Sequence, residues 1–309
     1  MTDRPRIGLA LGAGGARGWC HIGVLRGLAE LGVEPDMVAG CSMGALVAAA
    51  WAAGRLDQLE DWALSLNRRR FVGLVDVKLT SGGLVEGREI ANVLGEIGVP
   101  DRFEDMSKPF VAIATDMESG REVWIDKGST HSAVRASVAV PGVFSPHPHE
   151  GRWLLDGGLT NPVPVSAARA QGADIIIAAN PNARPDGRIW RPSPPRAPFI
   201  DTIAGPTLAS VLPQPLQEVL GLGEEEPEEK PTPKCPNYLS VIAAAIDVMS
   251  DQIRRARLAG EPPHILLNAD IRDLTMLELF RAKEAIEEGR RMVEIQTEAI
   301  RTVCGLKDK

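Results

Sequence analysis

The chain is short of the features that mark several large protein classes. It has no excess of positive charge. There are 34 lysines and arginines against 41 aspartates and glutamates, a net charge of −7, and an isoelectric point near 5.4. Nucleic acid is therefore not expected as a partner, because phosphate recognition needs a basic surface. The molecule as a whole also has no strong electrostatic pull toward anionic membranes. Four cysteines, at 20, 41, 235 and 304, include no pair with zinc-like or redox spacing, and they read as reduced thiols. No apolar run reaches the roughly 18 residues that a membrane-spanning helix needs. Met1-Thr2-Asp3-Arg4-Pro5 has neither the basic nor the apolar region of a secretory signal. The expected compartment is the cytoplasm, with peripheral contact at a membrane surface left open. Internal repeats are missing. Histidine is scarce: His21, His131, His147, His149 and His264 are the full set, which restricts any scheme that needs an imidazole base.

What is present is ordinary for a globular chain of 309 residues, 44% hydrophobic and 24% charged. Residues 6–11 read as a buried strand, 12–18 as a glycine-rich loop and 19–31 as a helix. A second strand at 36–39 and a second helix at 43–53 follow. Strand–helix–strand–helix order argues for a parallel sheet with helices on its faces, an α/β fold. Further helices are expected at 86–97 and 163–171. Strands are expected at 110–114, 122–125, 153–156 and 174–179. From 181 to 236 the chain is rich in proline, with an acidic run at Glu224-Glu225-Glu226-Pro227-Glu228-Glu229, and a mobile insertion is expected there. Within it, 199–222 is less polar and suits a short helix or flap. Order is expected to return as a helix at 238–258, a strand at 264–267 and a long helix at 275–303. Leu279, Ile286, Val293 and Ile300 recur every seven residues in that last helix. The weak partner positions Ala282, Gly289 and Gln296 favour packing on the sheet over a coiled coil. The whole is expected as one domain over 1–309, with its core at about 6–180 and the 237–309 segment packed on that core.

Gly40-Cys41-Ser42-Met43-Gly44 is the most informative segment. It lies between an apolar strand and a helix, the setting in which G-x-S-x-G presents a nucleophile. A side chain at Gly40 or Gly44 would collide with the neighbouring strand or helix. The turn lifts the Ser42 hydroxyl over a helix N-terminus, where negative charge is stabilised.

Gly12-Ala13-Gly14-Gly15-Ala16-Arg17-Gly18 could hold an anion on its backbone amides. It misses the dinucleotide pattern G-x-G-x-x-G by one residue and lacks the Gly-Lys-Ser/Thr of a P-loop. A tetrahedral oxyanion is the third candidate, with the amides of Gly14, Gly15 and Ala16 turned toward Ser42. A tight connection with no ligand is the plain alternative.

The serine needs a base. Ser42…Asp156…His264 has the chain order of an α/β-hydrolase triad, but His264 opens a strand, a poor place for a triad histidine. His147 and His149, in Pro146-His147-Pro148-His149, have no acidic cluster beside them to complete a metal site. His21 reads as a packed, hydrogen-bonded histidine. Asp156 itself is the remaining option: it ends a strand, and Gly157 and Gly158 leave its approach open. An ordinary carboxylate is a weak base, and partial burial would strengthen it.

Gly14-Gly15-Ala16-Arg17-Gly18, Gly40-Cys41-Ser42-Met43-Gly44 and Asp156-Gly157-Gly158, in that order, resemble the three signatures of the patatin-like phospholipases. The resemblance looks closest to the bacterial RssA-type members. Gly18-Trp19-Cys20-His21-Ile22-Gly23-Val24-Leu25, Val134-Arg135-Ala136-Ser137 and Pro141-Gly142 extend it. It covers about 6–180 well and 237–292 more loosely. It implies a three-layer αβα fold with a mainly parallel sheet, and hydrolysis of lipid acyl esters without metal or organic cofactor. It also implies Ser42 as nucleophile, Asp156 as base in a Ser–Asp dyad, and the Gly14–Gly18 loop, with Ala16 and Arg17, as oxyanion hole. The family loop often begins with three glycines, and Ala13 stands at the first of them here; a positive φ at Ala13 would mis-set the hole. Arg68-Arg69-Arg70-Phe71-Val72-Gly73-Leu74 mixes basic and apolar residues and suits either a lipid interface or a solvated helix end. Two other classes stay open: a non-catalytic regulator that binds an acyl ligand in the same pocket, and a nucleotide-binding enzyme.

Overall fold

The computed structural model describes residues 4–67, 70, 87–183, 238–271 and 273–306. The bulk of the expected insertion, 184–236, and most of the arginine-rich run lie outside them.

Three strands carry almost nothing but buried apolar residues: β1 (Ile7–Leu11), β2 (Met37–Cys41) and β7 (Ile175–Asn180). Continuous apolar runs of this kind suit a parallel sheet covered on both faces. β1 pairs in parallel with both β2 and β7. β3 (Phe110–Asp116) continues the sheet parallel to β2, and β8 (Ile265–Asn268) continues it parallel to β7. Beyond β3 the pairing turns antiparallel, with β4 (Glu122–Ile125), β6 (Arg152–Asp156) and β5 (His147–His149). Among the described residues the strand order is β5-β6-β3-β2-β1-β7-β8, with β4 also on β3.

One detail of this order decides where the chemistry sits. At the two ends of β3, the amide of Met117 donates to the Trp153 carbonyl of β6, and the carbonyl of Pro109 accepts from Val38 of β2. Asp116, one residue away, donates to Arg121 on the β4 side. Backbone groups alternate sides along a strand. So β2 and β6 lie end to end on one flank of β3, with β4 on the other. Cys41 pairs with Ile113 and Asp156 with Ala114, so the carboxyl ends of β2 and β6 meet.

Helices cover both faces. α1 (Cys20–Glu30), α2 (Met43–Ala52), α3 (Leu56–Ser65), α4 (Arg88–Glu96) and α5 (Thr130–Ser137) contribute to the core on one side. α6 (Val165–Ala170) and Leu258 of α7 (Tyr238–Gly260) cover the other. The result is a three-layer αβα domain. α2 is apolar all round and buried at every position but Trp51, as a central helix must be. α8 (Ala282–Ile295) lies against α1 with backbones in near contact. A Cβ on Gly23 would overlap the carbonyl of Ile286, and one on Gly289 the carbonyl of Cys20.

The last helix differs from its expected form. It divides into a 3-10 turn (Leu279–Arg281), α8 and α9 (Thr297–Cys304). The break falls at Gln296, whose side-chain amide donates to the Leu266 carbonyl on β8 at 2.8 Å. Ile286, Val293 and Ile300 are buried, so the seven-residue recurrence reflects packing on the core. The first helix is likewise preceded by a 3-10 turn (Gly15–Trp19), which takes up part of the glycine loop.

Candidate active site

β2 ends at Cys41, and the chain reverses through Ser42 into α2. Ser42 has φ 55° and ψ −125°. Among the described residues only Glu150 is another non-glycine residue with positive φ. Such a backbone costs about 1–3 kcal/mol and persists only where its surroundings impose it. The elbow is pressed onto the end of β1. A Cβ on Gly44 would overlap the Leu11 carbonyl and stand 2.8 Å from that of Gly12. Glycine is therefore required there by close approach.

The third loop arrives from the other direction. β6 delivers Asp156, and a Cβ on Gly157 would overlap the Ile113 carbonyl. A Cβ on Gly158 would lie 3.3 Å from that of Ala13 in the glycine loop. The three segments singled out in the sequence thus meet at the carboxyl edge of the sheet. The Ser42 hydroxyl donates to Asp156 Oδ2 at 2.6 Å, and the Gly158 amide donates to Asp156 Oδ1 at 2.7 Å. Both residues are buried, Ser42 at 4% and Asp156 at 5% exposure. Burial pushes the Asp156 carboxyl up to about 6, against the opposing pull of the bonds from Ser42 and Gly158. The carboxylate is thereby a stronger base than one in water, and it is already aimed at the hydroxyl proton.

In the glycine loop, four amides are committed. Gly12 donates to Ala179, Ala13 to Pro162, Ala16 to Met276 and Arg17 to Gly14. The Ala16 amide, expected toward Ser42, is held instead by a carbonyl of the segment before α8. The amides of Gly14 and Gly15 donate to no backbone carbonyl among the described residues. Ala13 is not among the positive-φ residues, so the methyl at the first glycine position leaves the loop unstrained. Arg17 is buried. Its guanidinium donates to the Gly14 carbonyl and to Asp247 of α7, each at 3.4 Å. His21 fastens the start of the loop: its Nε2 lies 2.7 Å from the Gly12 carbonyl, so Nε2 carries the proton and donates. Burial pushes this imidazole down to about 4 and keeps it neutral.

α7 lies over the same edge. Ser250 donates to the Gly158 carbonyl at 3.4 Å, and Arg257 to that of Thr160 at 3.1 Å. Arg257 also pairs with Glu122 of β4.

The other histidines stand elsewhere. His264 accepts from the Ile176 amide and donates its own amide to the Ile176 carbonyl, both at 2.9 Å. Ile176 is level with Gly8 and Met37, at the opposite end of the strands from Ser42. Five residues of strand and three inter-strand spacings separate His264 from the serine, about 20 Å. The triad is therefore not assembled, although the chain order allowed it. His147 Nε2 and His149 Nδ1 share the Ser132 hydroxyl, each at 2.9 Å. Among the described residues no group of three or more His, Cys, Asp or Glu is placed to hold a metal.

Sequence reading missed two contributors. Ser137 accepts from the Ser42 amide, and the Ala139 carbonyl accepts from that of Asp156. Ser137 was marked only as the end of the family-like segment Val134-Arg135-Ala136-Ser137; that these two groups hold the Ser42 and Asp156 backbones is visible only in the tertiary structure.

The patatin-like phospholipase family model matches residues 9–169. An uncharacterized NTE family protein of Mycobacterium tuberculosis is 33% identical over 96% of this chain and 93% of its own length. The neuropathy target esterase of Drosophila melanogaster is 33% identical over 58% of this chain, a match that covers 13% of that protein. Among solved structures, VipD from Legionella pneumophila aligns over 57% of this chain and 50% of its own, with TM-score 0.38 and 15% identity.

Proposed function

The chain belongs to the patatin-like phospholipase family, a family of lipid hydrolases, and from that premise we propose that it is a serine acyl hydrolase working through a Ser42–Asp156 dyad. The observation that carries this reading is the buried 2.6 Å bond from the Ser42 hydroxyl to the Asp156 carboxylate. Ser42 Oγ attacks the ester carbonyl while its proton passes to Asp156 Oδ2. The amides of Gly14 and Gly15 stabilise the oxyanion. Asp156 returns the proton to the departing alcohol, leaving the acyl group on Ser42. A water then gives its proton to Asp156 and attacks the acyl carbon, and Ser42 recovers a proton as the fatty acid leaves. Phospholipase A or lysophospholipase chemistry fits this sequence of steps.

The substrate sits in a lipid phase, and one feature suits contact with it. Met117, Trp124 and Trp153 are 56%, 44% and 59% exposed. They share one face of the β3–β4–β6 extension, since Trp124 is opposite Ile113 and Met117 is bonded to Trp153. Met117 lies past the level of Ser42, at the edge where the serine is presented. Tryptophan favours the lipid–water boundary. Among the described residues no helix is long and apolar enough to cross a membrane, so the contact proposed is peripheral.

One panel tests both statements. Hydrolysis of a short-chain chromogenic ester and of phospholipid vesicles is measured for wild type, Ser42→Ala, Asp156→Asn, His264→Ala and Trp153→Ala, each checked for folding. Ser42→Ala and Asp156→Asn are expected to lose both activities and His264→Ala to keep both. Trp153→Ala is expected to slow on vesicles alone. Loss in His264→Ala would replace the dyad. A folded wild type without turnover, retaining an intact lipid, would favour the binding regulator.

A further inference from the structure

The parallel ladder between β2 and β3 has a gap at its end, and a side chain fills it. Val38 donates its amide to the carbonyl of Pro109, at the residue before its partner Phe110. Continuing this pattern four residues along each strand, the Ser42 amide would donate to the Ile113 carbonyl. The Ser42 amide takes a different partner. It donates to Ser137 Oγ at 2.9 Å, and the Ser137 hydroxyl donates to the Ile113 carbonyl at 2.5 Å. One hydroxyl thus accepts and donates in series, as an inserted rung of the sheet. Ser137 is fully buried and is the last residue of α5. Two residues on, the Ala139 carbonyl accepts from the Asp156 amide at 3.0 Å. A single turn therefore grips the backbone of both dyad residues.

We propose that Ser137 is a positioning residue: its hydroxyl locks the strained Ser42 backbone to β3 and, with the turn through Ala139, sets the Ser42–Asp156 separation. This rests on the hydrolase reading above. Two physical points support it. A strained elbow relaxes unless its amide is held, and a nucleophile displaced by a fraction of its reach loses rate steeply. In addition, the Ser42 amide is already consumed by Ser137, so it serves as an anchor of the nucleophile and leaves the oxyanion to the glycine loop.

The test compares wild type, Ser137→Ala and Ser137→Thr on the chromogenic ester, with Ser42→Ala as the inactive reference. Backbone amide exchange over the peptide containing Ser42 is followed in each. Ser137→Ala is expected to lose about tenfold or more in kcat while KM stays within about twofold, with faster exchange around Ser42. Ser137→Thr keeps a hydroxyl and is expected to recover most of the rate. A folded Ser137→Ala with wild-type kcat overturns the proposal. So does equal loss in Ala and Thr variants that tracks their thermal stability alone. Should Ser137→Ala not fold, Ser137→Cys is read in its place: lowered kcat at unchanged KM supports the proposal, and wild-type kcat overturns it. A wild type inactive on every ester defeats the hydrolase reading instead. The exchange data then decide the Ser137 link alone, with unchanged protection in the variant overturning it.

Discussion

Asp156 is a carboxylate kept where carboxylates are costly. Its pKa is raised by burial from 3.8 to about 6 in the folded protein. Between those values the folded state holds a proton that the unfolded state has released. Stability from this group is therefore full below about pH 4 and is lost as pH rises through about 6, a change of about 3 kcal/mol. Asp156→Asn removes the ionisation. It is expected to be more stable than wild type at pH 8 and nearly equal near pH 4, read by denaturant unfolding at both pH values. An equal difference at the two pH values would contradict the burial argument. Ser42, Asp156 and the flanking glycines were legible in the sequence because their signal is local: a turn that tight admits few residue types. Ser137 was noted only within a family-like segment, and its contact with Ser42 was not legible, because its hydroxyl matters only once α5 has brought it to the end of the β2–β3 ladder. His264 shows the converse error open to chain order alone. It satisfies the triad sequence and stands at the wrong end of its strand.

At the scale of elements, strand ends place the candidate site residues. β2 and β6 abut on one flank of β3, and the glycine loop leaves the end of β1 beside them. The parallel strands were readable from their unbroken apolar runs, and α2 from its alanines. The division of the last helix was not, because Gln296 breaks it with a side-chain bond to β8, a long-range event in an otherwise helical run. The α1–α8 contact depends on glycine at Gly23 and Gly289, where backbone meets backbone. Gly289→Ala forces a methyl into the Cys20 carbonyl and is expected to destabilise the fold by about 1–3 kcal/mol as overpacking. Its stability is measured by chemical denaturation. A change near zero would mean that the helices separate freely, and with them the support beneath the glycine loop.

Across the whole molecule, the sheet gathers the three singled-out segments at one edge. The glycine loop, the elbow and Asp156-Gly157-Gly158 come from three distant parts of the sequence. The parallel strands β1 and β2 bring the glycine loop and the elbow to the same side, and β6, antiparallel to β3, runs the other way and ends where they do. α7 joins from beyond the long proline- and glutamate-rich segment and ties Arg17 to Asp247 over that edge. The fold class followed from the strand–helix alternation. β6 was expected as a strand at 153–156, but β5 was not, since its three residues carry no periodic signal, and the antiparallel pairing of both is set by tertiary structure.

The most direct test of the Ser42–Asp156 dyad is the rate at which a fluorophosphonate labels the folded protein, with the modified residue located by peptide mass spectrometry. Wild type is expected to form an Oγ–P bond on Ser42 with loss of fluoride, at a rate rising as pH passes about 6 and Asp156 ionises. Asp156→Asn is expected to label far more slowly. A folded wild type that labels elsewhere, or a folded Asp156→Asn that labels Ser42 at the wild-type rate, would contradict the dyad.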